Sequence, residues 1–325
     1  MADLPRDRLQ GTVRPFTISG VDYAGPVQIR EGRRRGRIPL SKGYIALFVC
    51  FHTKAVHLEA VTDLTTEAFL AALRRFTARR GLCTTLYSDN ATNFVGALRE
   101  LKELYQFIED QTEEIKTRLA SKNIDWKFIP PRSSNFGGLW EAAVKATKRH
   151  LYTVTRELIL TYEEFSTLLT EIEAVLNSRP LVPLSSHPND LTALTPAHFL
   201  FGESQAEPVQ RNLLNLLVNT LSRWQHQQRV RQHFWSRWQR EYLHQLQMRT
   251  KWYHNSTALT VGTMVLLMDE SNPPSKWSLG RVIELHPGSD RVARVATVKT
   301  AHGLYKRPIR KLCALPLNGG TNEEV

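Results

Sequence analysis

Along residues 14–129 apolar positions fall in short blocks whose spacing predicts strands, interrupted by stretches with a helical period. RPFTISGV (14–21) reads as a short strand that delivers Asp22 at its end. YIALFVCF (44–51) has the length and the aromatic and β-branched content of a buried strand. After a turn near Thr53-Lys54, VHLEAV (56–61) reads as its hairpin partner. Phe69, Leu73 and Phe76 share one face of a helix expected over 65–80, with Gly81 as its stop. LCTTLYS (82–88) predicts the next strand, which ends on Asp89. Phe94, Leu98, Leu101, Leu104, Tyr105 and Ile108 give helical spacing that a polar stretch carries to about residue 121. IDWKFI (124–129) alternates Ile124, Trp126 and Phe128 with polar residues, as a strand does, and Pro130-Pro131 closes it.

RSSNFGG (132–138) has loop composition, so the next helix is expected to start near Leu139 and to carry Glu141 in its first turn. Another helix starts at Thr161, which forms a capping box with Glu164, and stops before Pro180. Strands come first and helices then alternate with strands, so the fold class is α/β with a mixed sheet flanked by helices. Residues 182–208, rich in Pro, Ser and Asn, read as a peripheral linker. Residues 211–250 are helix-permissive and set Trp224, Trp235 and Trp238 among Arg, Gln and His, where the tryptophans serve best as packing anchors. VGTMVLLMD, WSLGRVIEL, RVARVATVK and LYKRPIRKL then read as short strands separated by turns, the pattern of a small all-β barrel with Trp277 and Leu279 in its core.

Composition narrows the function classes. The longest apolar run, Tyr44 to Phe51, is too short to cross a bilayer, and the polar opening MADLPRDRLQG is unlike a secretory signal. Cys50, Cys83 and Cys313 stand far apart with no CxxC spacing, so they fit buried small hydrophobes in a reducing compartment better than a disulfide framework or zinc module. Net charge is +12, unevenly spread. From Arg211 to Val325 there are 17 Lys/Arg against 7 Asp/Glu, or +10, while the rest of the chain holds 26 against 24. Such asymmetry points to a polyanionic partner for the C-terminal third. The densest basic set there is Arg291, Arg294, Lys299, Lys306, Arg307, Arg310 and Lys311. Arg223, Arg229, Arg231, Arg237 and Arg240 share the helix-permissive segment, where phosphate contacts would add affinity but little sequence choice.

Three acids stand out by their placement. Asp22 and Asp89 are expected at strand ends and Glu141 at a helix start, positions that can converge at one edge of a sheet. Converging carboxylates need cations, and hard oxygen donors favour Mg²⁺ or Mn²⁺, two of which can clamp an in-line displacement at phosphorus. Lys145 and Lys148, four and seven residues past Glu141, share its helix face, as phosphate-binding lysines beside a metal site would. An ordinary Glu–Lys surface ladder has the same spacing.

The stretches SGVDYAGP, HTKAVHLEAVTDLTTEAFLAALRRFTARRG, YSDNATNFVGA, FIPPRSSNFGGLWEAAVKATKRHL, LNSRPL and LTPAHFLFG resemble the integrase catalytic core of BEL/Pao-type LTR retrotransposons. DRVARVATVKTAHGLYKRPIRKL resembles the barrel that follows that core. The resemblance runs over roughly residues 3–316 in the family's order. It implies a ribonuclease-H-like core with Asp22, Asp89 and Glu141 as catalytic and metal-binding triad for two Mg²⁺ (or Mn²⁺) ions. Lys145 and Lys148 would then contact the element's DNA end, Thr92 and Asn93 would lie near target DNA, and Arg291, Arg294, Lys306, Arg307, Arg310 and Lys311 would contact DNA from the barrel. Water would cleave near the 3′ end of the element DNA, and the freed 3′-OH would attack a target phosphodiester. The implied partners are double-stranded DNA and further copies of the chain, with no membrane. The implied setting is the nucleus after a cytoplasmic phase.

The expected organisation is a leader (1–12), the core (13–205), a helical linker (206–255), the barrel (256–317) and a disordered tail (318–325). The sequence departs from relatives at Ala91, where retroviral relatives have Gly, and at Ser134-Asn135, where close relatives show Pro-His. No paired cysteines accompany His52 and His57, which are expected to be structural, and the family's usual N-terminal zinc module is not expected. A second expectation is therefore a host-retained, non-catalytic DNA-binding protein derived from such an element.

Overall fold

The computed structural model describes residues 14–32, 39–89, 94–101, 124–128, 134–155, 158–204, 210–253, 259–269, 272–290 and 292–316. The expected leader and tail, the continuation of the 94–101 helix to residue 121, and Pro130-Pro131 lie outside these residues. Contacts group the chain into two compact units, Met1–Leu176 and Asn177–Val325.

The first unit is organised about β1 (Ile18–Arg30). On one side it pairs antiparallel with β2 (Leu40–Cys50), from Ser19↔Cys50 to Arg30↔Leu40, with a bulge between Ala24 and Val27. β2 continues into β3 (Val56–Val61) by the expected hairpin. On its other side β1 runs parallel to β4 (Thr85–Ser88), which in turn runs parallel to β5 (Asp125–Phe128). The order β3-β2-β1-β4-β5, with β6 (Leu160–Thr161) added on β1, makes a mixed sheet in the expected ribonuclease-H-like arrangement. β3 is buried at all six positions, a strand covered on both faces.

Besides the helical segment 94–101, this unit has α1 (Thr66–Arg80), α2 (Ser134–Thr155) and α3 (Tyr162–Asn177) among the described residues. α1 begins where Thr65 Oγ1 accepts the Ala68 N–H at 3.2 Å and ends where Gly81 takes φ 82°, a conformation costly for any other residue. The exposed Arg14 donates to the carbonyls of Arg80 and Leu82, placing a cation on the helix's negative end. α1 packs on β3 and buries Phe69, Leu73 and Phe76; Phe69 lies against Tyr23, Phe94 and Trp126, and the Phe76 ring stacks on Phe48 at 4.2 Å. At α3 the expected capping box is present: Thr161 N–H donates to Glu164 Oε2 at 2.8 Å and Glu164 N–H to Thr161 Oγ1 at 3.3 Å.

Two boundaries differ from expectation. β1 starts at Ile18 and runs to Arg30, so Asp22 lies within the strand rather than at its end. The bulge lets the strand continue past Gly25-Pro26, which a pattern search takes for a stop. α2 starts at Ser134, five residues early, so Glu141 lies about two turns inside the helix. Ser134-Asn135 is a good helix opening, and a helix tolerates Gly137-Gly138 at modest cost.

Beneath the sheet lies a charged cluster that no residue pattern announced. His57 on β3 is 1 % exposed, with Nε2 3.0 Å from Glu59 Oε1 and Nδ1 3.0 Å from Glu173 Oε2 on α3. Arg75 and Arg79 of α1 close on Glu59 at 2.6 and 2.9 Å, and Arg80 pairs with Glu173. Glu173 Oε2 also accepts the Leu58 N–H at 2.8 Å. Burial alone would lower the His57 pKa, but hydrogen bonds to Glu173 and Glu59 outweigh it and hold the ring above its ordinary value. Glu59 is held below its ordinary value because hydrogen bonds from His57 and Arg75 outweigh its own burial. With a carboxylate at each ring nitrogen, His57 ties β3 to α3, a structural role as expected.

In the second unit, segment 177–204 is more than a linker. It holds the short hairpin β7 (Val182–Pro183) and β8 (Ala193–Leu194), then α4 (Pro196–Phe201). The buried Arg281 fixes this segment, its Nη2 donating to the carbonyls of Ser185 (3.1 Å) and Asp190 (3.0 Å). After α5 (Arg223–Tyr253) comes the barrel sheet: β9 (Met264–Leu267), β10 (Leu279–Pro287), β11 (Ala293–Thr300), β12 (Gly303–Pro308) and β13 (Leu312–Ala314). All neighbours pair antiparallel in the order β12-β11-β10-β9-β13. All four β9 residues are buried because the strand serves two cores. Val265 and Leu267 join Val282, Ala296, Val298 and Leu312 inside the sheet, while Met264 and Leu266 meet Leu243 and Leu246 of α5. Trp277 and Leu279 pack on the α5 side, so they lie outside the inner cluster they were expected to join. The expected anchors Trp235 and Trp238 are buried, and with Tyr242 they stack edge-to-face on Trp277 at 4.9–5.9 Å; Trp224 is 58 % exposed. The three cysteines are free and buried, and burial pushes the Cys83 and Cys313 thiols up to about 12.

The His57 cluster predicts a pH signature. A folded pKa above the unfolded 6.5 makes the His57 contribution complete below that pH and lost as pH rises through the raised value. The Glu59 contribution runs oppositely: it is present above 4.5 and lost as pH falls through the lowered value. His57→Ala is expected to cost roughly 2–3 kcal/mol at pH 6, because it removes one hydrogen bond from each of two buried carboxylates, which keep their arginines, and leaves the space of the ring empty. Melting temperatures from pH 5 to 9 test both: the parent should lose stability above pH 6.5 more steeply than the variant.

Candidate functional site

The pairing of β1 with β4 sets the site. Its three parallel partners are Ile18↔Thr85, Ser19↔Leu86 and Gly20↔Tyr87. Continued by two residues on each strand, this register brings Asp22 level with Asp89, on strands about 4.8 Å apart. β4 ends at Ser88, and two hydrogen bonds hold that end. Trp126 Nε1 donates to Ser88 Oγ at 2.9 Å, and the Ser88 hydroxyl donates to the Asp89 carbonyl at 2.9 Å. Ser88 and Trp126 thus position Asp89, and sequence inspection passed over both because a serine and a tryptophan in strands read as core.

Asp22 is half-buried, and its Oδ1 accepts the Tyr23 N–H at 2.7 Å. Its Oδ2 is paired with the Lys148 ammonium, brought there by α2, which packs on β1. Asp89 is exposed. Glu141 lies seven residues before Lys148, on the same side of α2 and about 10.5 Å away along its axis. The Glu141 side chain lies outside the described residues, as do Thr92 and Asn93. Lys145, on the same helix face, is exposed. Among the described residues no group of three or more His, Cys, Asp or Glu could hold a metal ion.

The donor set fits a hard divalent cation. Lys148, with one positive charge, occupies the Asp22 carboxylate, the place a cation shared with Asp89 would take. A cleft of about 800 Å³ opens beyond Asp22 toward the C-terminal end of β1, lined by Ile29, Arg30, Ser41, Lys42, Thr62 and Tyr162. Its lining includes Glu31 and Glu163 but neither Asp22 nor Asp89.

The barrel residues divide. Lys306, Arg307, Arg310 and Lys311 are exposed, Lys306 and Arg307 on β12, whose six residues all face solvent. Arg307 lies over the Tyr305 ring at 5.2 Å. Arg294 is forked onto Asp290, Nη1 to Oδ1 at 2.9 Å and Nη2 to Oδ2 at 2.5 Å, so its charge is matched locally. Lys299 donates to Asn189 Oδ1 at 2.6 Å. Arg291 lies outside the described residues.

Residues 222–315, which hold α5 and the barrel, match a protein family of unknown function (DUF5641). No curated protein matches the chain. Among solved structures, a chain from a simian T-cell lymphotropic virus intasome in complex with the PP2A regulatory subunit B56 gamma aligns at 10 % identity. The alignment covers 95 % of this chain and 82 % of that one, with a TM-score of 0.37. No helix among the described residues is long and apolar enough to cross a membrane.

The Asp22–Lys148 pair is close to a third exposed on both sides, so solvent screening keeps its worth low. A double-mutant cycle of Asp22→Asn and Lys148→Gln, read by urea unfolding, is expected to give a coupling of about 0.5–1 kcal/mol. A value near 3 kcal/mol would mean a buried structural bridge rather than a site that can open.

Proposed function

We propose that the chain is a metal-dependent polynucleotidyl transferase of the BEL/Pao retrotransposon integrase kind, processing 3′ ends of element DNA and joining them to target DNA. The single observation that supports this most is the parallel β1–β4 register, which continued by two residues would set Asp22 level with Asp89, where the Lys148 ammonium lies on Asp22. Asp22, Asp89 and Glu141 would hold two Mg²⁺ or Mn²⁺ ions, which when bound supply Lewis-acid stabilisation of the attacking and leaving oxygens. The chain's own part is then positioning. Ser88 and Trp126 hold Asp89 in place, α2 presents Glu141, and Lys145 and Lys148 neutralise phosphates of the DNA end. Thr92 and Asn93, just past Asp89, would face target DNA. Water attacks a phosphodiester near the 3′ end, breaking its P–O3′ bond; the terminal nucleotides leave with the 5′-phosphate and the element strand keeps a free 3′-OH. That hydroxyl then attacks a target phosphodiester in line, forming one P–O bond as another breaks. The basic C-terminal third would hold the duplex, copies of the chain would assemble on the two element ends, and the work would be done in the nucleus.

The pairing of Lys148 with Asp22 also supports a second reading, a host-retained protein that binds DNA without cutting it. A strand-transfer assay with labelled LTR ends and Mg²⁺ or Mn²⁺ separates the two. The parent is expected to join ends, while Asp89→Asn and Glu141→Gln abolish joining and leave DNA binding intact. Lys145→Glu with Lys148→Glu should weaken engagement of the DNA end. Divalent ions should raise the melting temperature of the parent and leave the triple alanine variant of Asp22, Asp89 and Glu141 unmoved. A parent that binds duplex DNA, joins no ends and shows no metal response would establish the non-catalytic reading.

A further inference from the structure

Both oxygens of the Asp22 carboxylate are engaged: Oδ1 accepts the Tyr23 N–H at 2.7 Å, and Oδ2 holds the Lys148 ammonium. The first bond comes from a neutral donor and leaves the charge of the carboxylate in place. The second matches that charge, and an ammonium and a divalent cation repel each other too strongly to share one oxygen. The backbone under Lys148 is fixed while its side chain is not. Ala146, Thr147, His150 and Leu151 are buried, so α2 is held on both sides of residue 148 where it packs on β1. The Lys148 side chain is 28 % exposed, and a lysine carries its ammonium on a flexible four-carbon stem. Leaving Asp22 therefore takes a change of side-chain torsions and no movement of the helix.

Lys145 makes that departure useful. It is exposed, and at three residues before Lys148 it is a neighbour on the helix surface. While Lys148 is on Asp22, its charge is matched. Once it is off, two ammoniums stand side by side and repel, and an anion placed between them relieves both. A phosphate of a DNA end is such an anion. Lys148 thus has two alternative partners, a carboxylate and a phosphate, which repel each other across it.

We propose that Lys148 is a latch on the metal site, holding Asp22 until a divalent cation takes the carboxylate and then passing to a phosphate of the DNA end. The inference rests on the metal-dependent reading above and adds regulation to it. Cation and DNA end both need Lys148 off Asp22, so each raises the affinity for the other by one common factor. Without a DNA end the chain holds metal weakly, and the charge needed to cut a phosphodiester assembles where an end has been engaged. Lys148 is in these terms a positioning residue, while Lys145, which has no part in the Asp22 pair, only binds phosphate.

The experiment titrates the full chain with Mn²⁺ and reads the free ion by its electron-spin-resonance signal, first without DNA. Lys148→Gln, which removes the competing charge, is expected to bind Mn²⁺ about three- to tenfold more tightly than the parent. Lys148→Arg keeps a cation that can fork onto Asp22, so its affinity should equal the parent's or fall below it. Lys145→Gln should change affinity by less than about twofold, which separates release of the pair from a general loss of positive field. A processed LTR-end duplex lacking its 3′-hydroxyl, which cannot be joined, is then added. It should tighten Mn²⁺ binding by the parent and do so less for Lys148→Gln. A Lys148→Gln chain with the parent's affinity, or a weaker one, overturns the latch while leaving the metal site in place. So does a Lys148→Arg chain that binds more tightly than the parent, or a Lys145→Gln gain that matches that of Lys148→Gln. A duplex that leaves the parent's Mn²⁺ affinity unchanged overturns the coupling. If the parent binds no Mn²⁺, and Asp22→Asn and Asp89→Asn behave like it, the metal-dependent reading itself fails and the latch falls with it.

Discussion

The length over which β1 pairs on each side decides what the first unit can do. With β2 the ladder runs nearly end to end, so β1 is held rigid and its register is fixed. With β4 it lasts three residues, after which β4 ends. A strand supported throughout on one side and released early on the other exposes its own middle at a defined level. Asp22 stands at that level, and Asp89 is the residue the shorter strand delivers there. α2 then needs only to pack on β1 to bring Lys148 to the same place.

Much of this was legible in the sequence because it depends on local pattern. The aromatic and β-branched run of β2, the Phe69–Leu73–Phe76 face of α1 with its Gly81 stop, and the Thr161–Glu164 box each state their element within a few residues. Asp89 was placed correctly for the same reason, since a strand end is a local event. Asp22 was misplaced within β1 because a bulge lets a strand pass a Gly-Pro pair, and only a partner strand reveals that. The start of α2 was misplaced because glycines read as loop, whatever the helix gains from tertiary packing.

The features missed altogether are long-range. Glu59 and Glu173 are 114 residues apart and meet on one histidine. No window in the sequence links them, and each alone resembles a surface acid. The same holds for Arg281, which reads as one more basic residue of the barrel but is buried and spends its donors on carbonyls of segment 177–204. Charge counting located the basic third of the chain correctly. It could not separate arginines that face solvent from arginines whose charge is already used inside the fold.

The outermost strand of the barrel sheet has a consequence for how copies of the chain can meet. β12 pairs with β11 on one side only, and all six of its residues are exposed. Such an edge ordinarily invites another strand to dock and extend the sheet. Lys306 and Arg307 place like charges along it, and Pro308 at its end has no N–H to donate. Two copies brought edge to edge would repel and would lack a bond in the ladder. Self-association through a continuous intermolecular sheet at β12 is thereby disfavoured, and the barrel resists fusing into fibres.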